Sequence, residues 1–173
     1  SALAKLLLLN KPYEPNARHA LHQADWITGR LANTYGISDE NNALKMGYDP
    51  IQRRWPNWIS NCPIDLRMLP RVVPVGQKIG QLSQNLLTRW GQAGPINIMA
   101  GTTDSNAATL ACGLQKPGEA ATALGSTLVL KILAEAPVVD TRLGVYSHRI
   151  GERWLVGGAS NSGGRVLRKY FTT

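Results

Sequence analysis

Apolar residues recur at helical spacing in the first part of the chain. Between residues 17 and 35 they are Ala20, Leu21, Ala24, Ile27 and Leu31. A repeat of about 3.6 residues places them on one helix face, so the pattern predicts a helix from Ala17 to Tyr35 that Gly36 ends. Residues 77–90 are predicted as a further helix, and the apolar run before Asn10 as the last turns of a core helix.

Apolar and polar residues alternate in the C-terminal part, which is typical of strands. The predicted strands are 122–124, 128–134, 145–150 and 154–158. Gly151-Glu152 joins the last two strands as a hairpin turn. A helix through Val166, Leu167 and Tyr170 follows, so the pattern predicts a strand meander and then a helix.

Residues 37–74 connect these parts and are rich in proline, which predicts an irregular segment. Trp55-Pro56-Asn57-Trp58 is predicted to start a short helix. Trp55 and Trp58 are three residues apart and therefore share a face. Such a pair either stacks on a sugar or packs in a core, and the sequence leaves both interpretations open.

A single carboxylate, Asp104, follows a short apolar run, Ile96–Met99, and a turn of small residues. This pattern predicts a buried strand, a tight turn and a helix whose first turn carries Asp104. The carboxylate either accepts a proton in a reaction or caps the helix, because aspartate is a preferred N-cap residue. Thr102 and Thr103 either line a binding pocket or only satisfy the turn.

The strand pattern is interrupted at Gly125-Ser126-Thr127. Such a break exposes backbone N–H groups and two hydroxyls to a phosphate. Gly163 and Gly164 stand where the last helix begins, where glycines permit close backbone approach and the helix dipole favours phosphate. As a structural cap, the same glycine pair needs no ligand.

Composition excludes several classes of function. The chain is 43% hydrophobic and carries 19 basic and 11 acidic residues, a net charge of +8. Its basic residues are scattered and no nucleic-acid-binding signature accompanies them, so no nucleic-acid partner is expected. Cys62 and Cys112 form no metal or redox motif, and His19 and His22, three residues apart, lack a third metal ligand nearby. The N-terminal apolar run is too short to span a membrane, so a reduced, cytoplasmic setting is the default.

Four segments together resemble the FGGY family of carbohydrate kinases, which phosphorylate sugars and polyols with ATP. The segments are HQADWITGRL, NNALKMGYDPIQRRWPNWI, IMAGTTDSNAATLACGLQKPGEAATALGSTLVLK and WLVGGASNSGGRVLRKYF. Their order and spacing fit the family over nearly the whole chain. The Gly-Ser-Thr variant of the phosphate turn, within ALGSTLVLK, together with GGASNSGG is most similar to the D-ribulokinase-like pentulose kinases of cyanobacteria and plants, some of which are labelled xylulokinase.

The resemblance implies an α/β protein with the two-lobe fold of actin-like ATPases and ribonuclease H. It implies that Asp104 is the general base, with Thr103 and Ser105 beside it at the sugar, although Ser105 replaces the family's usual Asn or Gln. ATP phosphates would bind at Gly125, Ser126, Thr127, Gly163 and Gly164, with Mg²⁺. The partners implied are a ketopentose and ATP, and the oligomeric state stays open, a homo-oligomer included.

Two motifs of the family are missing from the sequence, an Asp-x-Gly-Thr loop and a later glycine-rich adenine segment. We therefore expect the middle of a kinase, inactive by itself. Residues 1–113 would belong to the sugar-binding lobe and residues 114–173 to the ATP-binding lobe. Two alternatives remain, a non-catalytic actin-like nucleotide-binding protein and an interaction module.

Overall fold

Short helices and strands make up the part of the chain that the computed structural model describes, residues 2–9 and 16–171. These residues form two compact units, of which the first ends at Thr102 and the second begins at Thr103. The division falls immediately before the helix that carries Asp104. The lobe boundary expected at residue 113, which refers to a complete kinase, stays a prediction.

The first unit contains four α-helices and four strands among its described residues. They are α1 (Ala2–Leu9), α2 (Gln23–Ala32), β1 (Ile37–Asp39), α3 (Glu40–Leu44), β2 (Arg71–Val73), β3 (Lys78–Gln81), α4 (Gln84–Arg89) and β4 (Asn97–Met99). Strands β1 and β2 pair in parallel, and β3 and β4 pair antiparallel. The short helix predicted near Trp58 is a 3₁₀ turn, Asn57–Asn61.

The helix predicted from Ala17 to Tyr35 is shorter at both ends. Before it begins, the backbone N–H of Ala20 donates to Met68 O at 2.8 Å, a long-range bond that helical spacing does not reveal. The N–H of His22 donates to Asp25 Oδ2 at 3.1 Å, which fixes the start of α2 at Gln23. Asn33, at φ 53°, ends the helix before Gly36.

The helix predicted over residues 77–90 is wrong in its first half. Residues Lys78–Gln81 form strand β3, because their backbone pairs with β4. Only Gln84–Arg89 are helical. Strand β4 confirms the predicted strand but not its burial, since Ile96 is 39% and Met99 47% exposed. In the part of the chain that the structure describes, the sheet has only two strands, β3 and β4, and pairing with β3 covers one edge of β4 and leaves its side chains partly exposed.

The second unit consists of helix α5 (Asp104–Ala111), four strands and a final helix. The remaining elements are β5 (Ala120–Leu124), β6 (Leu128–Ala134), β7 (Tyr146–Ile150), β8 (Arg153–Ser160) and α6 (Gly164–Tyr170). All predicted strands are present, and β6 has the predicted bounds. The Gly151-Glu152 hairpin between β7 and β8 is confirmed as well.

The order of the strands is β5-β6-β8-β7, with every neighbouring pair antiparallel. A simple meander, as predicted, would place β7 next to β6. Instead, β8 pairs with β6 along Leu128–Ala134 on one side and with β7 on the other. The chain between β6 and β7 leads to the outer edge, where Val138 bonds to the Ser147 hydroxyl through both its N–H and its carbonyl oxygen.

Candidate active site

Asp104 is the first residue of helix α5 and is exposed. Its Oδ1 accepts a hydrogen bond from the N–H of Ser105 at 2.8 Å. The N-cap position is occupied by Thr103, one residue earlier. Thr103 makes no side-chain capping bond, so Asp104 satisfies one N–H group of the first turn while its exposed carboxylate remains accessible at the start of the helix.

Thr103 and Ser105 flank this carboxylate, as the sequence places them. Thr103 is only 4% exposed, and its Oγ1 makes no hydrogen bond to any residue that the structure describes. A buried hydroxyl without a partner loses its bonds to water without replacement. Ser105 is half-buried, and its carbonyl oxygen accepts from Thr109 Oγ1 at 2.9 Å, which is an internal helix contact.

The predicted phosphate turn connects β5 to β6. The N–H of Gly125 donates to Thr127 O at 3.0 Å, which closes the turn on itself. Ser126 and Thr127 are exposed, so both hydroxyls are open to a ligand. The hydroxyls of the turn are therefore accessible to solvent, while the N–H of Gly125 stabilises the conformation of the turn.

Gly163 and Gly164 pack directly against this turn, so the structure joins two segments that lie almost forty residues apart in the sequence. A Cβ atom at Gly163 would lie 2.4 Å from the carbonyl carbon of Thr127, and one at Gly164 would lie 2.8 Å from Gly125 O. The N–H of Gly164 donates to Gly125 O at 2.7 Å. Only glycine permits this approach, and the N–H of Gly164 serves the protein and is not available to a phosphate.

Helix α6, which begins at the glycine pair, carries the positive charge of this region. Arg165, Arg168 and Lys169 are exposed on it, and the helix contains no acidic residue. The excess of basic side chains favours an anionic ligand near the turn. In the sequence these residues are part of a scattered set of basic side chains, so the pattern alone does not indicate a binding site.

A buried lysine in strand β6 was not recognised from the sequence. Lys131 is 1% exposed, and its Nζ lies 2.8 Å from His148 Nδ1 and 4.9 Å from the ring centroid of Tyr146. Burial lowers the pKa of Lys131 to about 8. The signal that could have found it is a single lysine inside the apolar run of residues 128–134.

The first unit holds a buried polar cluster that the sequence also did not indicate. Asp39 caps α3, accepting from the N–H groups of Asn41 and Asn42 at 2.9 and 3.0 Å. Burial raises the pKa of Asp39, although these hydrogen bonds oppose the shift. Glu40 accepts from Arg53 Nε at 2.9 Å. These carboxylates are bound within the unit, which indicates a structural role.

The other predicted pairs are not brought together into a site. His19 lies before α2, so it does not share a helix face with His22. Trp55 donates through Nε1 to Pro70 O at 3.3 Å and packs edge-on against Tyr48, which makes it a packing residue. Within the described ranges, no three His, Cys, Asp or Glu side chains are grouped to hold a metal ion. Among the helices of those ranges, none has the length and apolar character to cross a membrane.

The fold is that of sugar kinases, which confirms the fold class expected from the sequence. The sequence matches no protein-family model. Solved structures that it is similar to include a xyloylose kinase from Brucella ovis, with a TM-score of 0.82, 24% identity and coverage of 97% of this chain and 36% of that one. Xylulose kinase from Rhodospirillum rubrum has a TM-score of 0.82 and 18% identity, with 97% and 35% coverage.

Gluconate kinase from Lactobacillus acidophilus is similar as well, with a TM-score of 0.81, 17% identity and coverage of 100% of this chain and 36% of that one. The chain therefore spans about a third of the length of each of these three kinases. At this level of identity the comparison defines the fold. The function of the chain has to be argued from Asp104, the Gly125–Thr127 turn and the glycine pair.

Proposed function

We propose that the chain is the central part of an FGGY-family carbohydrate kinase, which transfers the γ-phosphoryl group of ATP to a terminal hydroxyl of a ketopentose, D-ribulose or D-xylulose. The observation that carries the proposal is the packing of Gly163 and Gly164 on the Gly125–Thr127 turn. The two segments that the sequence predicts to bind phosphate meet in one place. A chance pair of glycine motifs has no reason to converge.

On the phosphate side, the exposed hydroxyls of Ser126 and Thr127 are donors to phosphate oxygens. The basic side chains of α6 add attraction for the negative charge. ATP supplies the phosphoryl group and binds as its Mg²⁺ complex. Mg²⁺ usually binds substrate phosphates together with one or two carboxylates and water, so the phosphates of ATP would supply part of its ligands.

On the sugar side, Asp104 is the proposed general base. Its carboxylate is exposed at the start of α5, and a carboxylate within hydrogen-bond reach of a hydroxyl can accept its proton. The sugar hydroxyl oxygen attacks the γ-phosphorus, the bond from that phosphorus to the bridging oxygen breaks, and ADP leaves with the electron pair. The hydroxyl proton passes to Asp104. The unpaired hydroxyl of Thr103 is proposed as a partner for a sugar oxygen.

The test is sugar-dependent ADP release by the complete protein that contains this chain. D-ribulose, D-xylulose, glycerol and a sample without sugar are compared at equal ATP. Turnover with a ketopentose far above the sample without sugar supports the proposal. ADP release that no sugar changes would instead identify a nucleotide-binding protein without a sugar substrate.

Two further expectations concern the activity of the chain by itself and its cellular setting. The chain by itself is expected to be inactive, because it spans about a third of the kinases that it resembles. The setting is expected to be the reducing cytoplasm, in which Cys62 and Cys112 stay free thiols. Assaying the chain alone beside the complete protein checks the first expectation.

A further inference from the structure

Asn41 differs from the other polar residues of the buried cluster in what it binds. Asn42 Nδ2 donates to Asp39 Oδ2 at 2.6 Å, and Arg53 Nε donates to Glu40, so these bonds span 3 and 13 residues. Asn41 Nδ2 donates to Thr102 Oγ1 at 2.9 Å, across 61 residues. Asn41 is completely buried, at 0% exposure.

A fully buried asparagine is costly unless its hydrogen bonds return the lost contact with water. An apolar side chain of similar size would cover the same space without that cost. The bond to Thr102 is a gain that an apolar side chain at residue 41 could not give. It ties helix α3 to the last residue of the first unit.

Thr102 stands in the short connection from β4 to α5, two residues before Asp104. The connection is held at Ala100, whose N–H donates to Gln77 O at 2.7 Å and whose carbonyl oxygen accepts from Gly76 at 2.9 Å. Thr103 is the N-cap residue of α5, and its carbonyl oxygen accepts from the N–H of Ala107 at 2.9 Å. Between these two points lie only Gly101 and Thr102. The bond from Asn41 therefore restrains the backbone next to Gly101, the residue of this connection with the greatest conformational freedom.

We infer that Asn41 is a positioning residue for the general base, acting through the hydroxyl of Thr102. The inference rests on the proposed function, because it requires Asp104 to react. The bond fixes the backbone just before Asp104, and a reacting group misplaced by even about 1 Å slows chemistry strongly. Asn41 itself touches no substrate in this scheme.

The test is a double-mutant cycle in the complete protein, with Asn41→Ala, Thr102→Val and the combined variant. Each single variant is expected to lower kcat about tenfold with little change in the KM for ATP, and the combined variant to lower it no further. Thr102→Ser keeps the acceptor oxygen and is expected to restore most of kcat. Thr109→Val is the matched control, since Thr109 is also buried but its hydroxyl bonds within α5.

Several outcomes would overturn the inference while leaving the proposed function intact. The first is a combined variant in which the losses of kcat from Asn41→Ala and Thr102→Val multiply. The second is an equal kcat for Thr102→Val and Thr102→Ser. The third is a loss of kcat in Thr109→Val as large as that in Thr102→Val. If Asn41→Ala fails to fold, the pair Thr102→Val and Thr102→Ser decides alone. Asp104→Asn is measured in parallel, because full turnover in that variant would refute the proposed function and this inference with it.

Discussion

Gly163 lies so close to Thr127 that a Cβ atom at Gly163 would be 2.4 Å from the Thr127 carbonyl carbon and 2.7 Å from the nitrogen of Leu128. Both atoms belong to backbone, which cannot move aside as a flexible side chain can. The start of α6 and the β5–β6 turn are therefore shaped by each other. A change at either segment alters the proposed phosphate site.

The first prediction concerns this contact. Gly163→Ala is expected to destabilise the protein by about 2 kcal/mol, because the added methyl group forces the turn away. The KM for ATP is expected to rise in the same variant. Denaturant unfolding and initial rates at varied ATP measure the two effects. Gly94→Ala is the control, since nothing lies within 4 Å of its Cβ position, and an equal effect there would contradict the prediction.

The second prediction concerns the two exposed hydroxyls of the turn. Replacing Ser126 with Ala and Thr127 with Val is expected to raise the KM for ATP about thirtyfold, because each change removes a donor to phosphate worth about 1 kcal/mol. Stability should hardly change, because both side chains are exposed. Thr122→Val, an exposed threonine in β5, serves as the control. An unchanged KM in the double variant would refute the phosphate role.

The third prediction concerns the base. Asp104→Asn keeps the shape of the side chain but cannot accept the proton, so kcat is expected to fall by about 10² to 10⁴. Nucleotide affinity should persist, because the phosphate turn is untouched. Asp65→Asn makes the same chemical change at an exposed carboxylate that pairs with Arg67. Nucleotide binding measured by titration, together with steady-state rates, separates the two effects.

The fourth prediction concerns pH and Lys131. Burial lowers the folded-state pKa of Lys131 to about 8, whereas the unfolded chain keeps the ordinary value of 10.5. Between these values the unfolded state binds more protons, so stability is expected to rise as pH increases from 8 to 10.5. Below pH 8 both states are protonated, and the buried charge costs a constant amount of up to about 3 kcal/mol.

Lys131→Met removes this charge and fills similar space. The variant is expected to be more stable than the parent at pH 7 and to lose the rise above pH 8. Denaturant unfolding at several pH values between 7 and 10 measures both. Lys116→Met, at an exposed lysine, should leave the pH profile unchanged. A parent whose stability stays flat from pH 8 to 10 would show that Lys131 is not perturbed.

Local patterns predicted the second unit better than the first. Strand β6 has the predicted bounds because Leu128–Ala134 is a short, nearly continuous apolar run that follows a turn. In the first unit, Lys78–Gln81 were predicted as helix, yet their backbone pairs with β4. The preference of such a short segment is too weak to resist a pairing partner supplied from elsewhere in the chain.

The sequence by itself determined where Asp104, the Gly125–Thr127 turn and the glycine pair stand along the chain, and it indicated a kinase fold. These features depend on residue type and spacing, which are local properties. Tertiary structure alone decided that Gly163 packs on the turn, that Lys131 is buried beside His148, and that Asn41 reaches Thr102. Those contacts join residues far apart in sequence. They stabilise the protein only after folding has placed β8 between β6 and β7 and has buried α3.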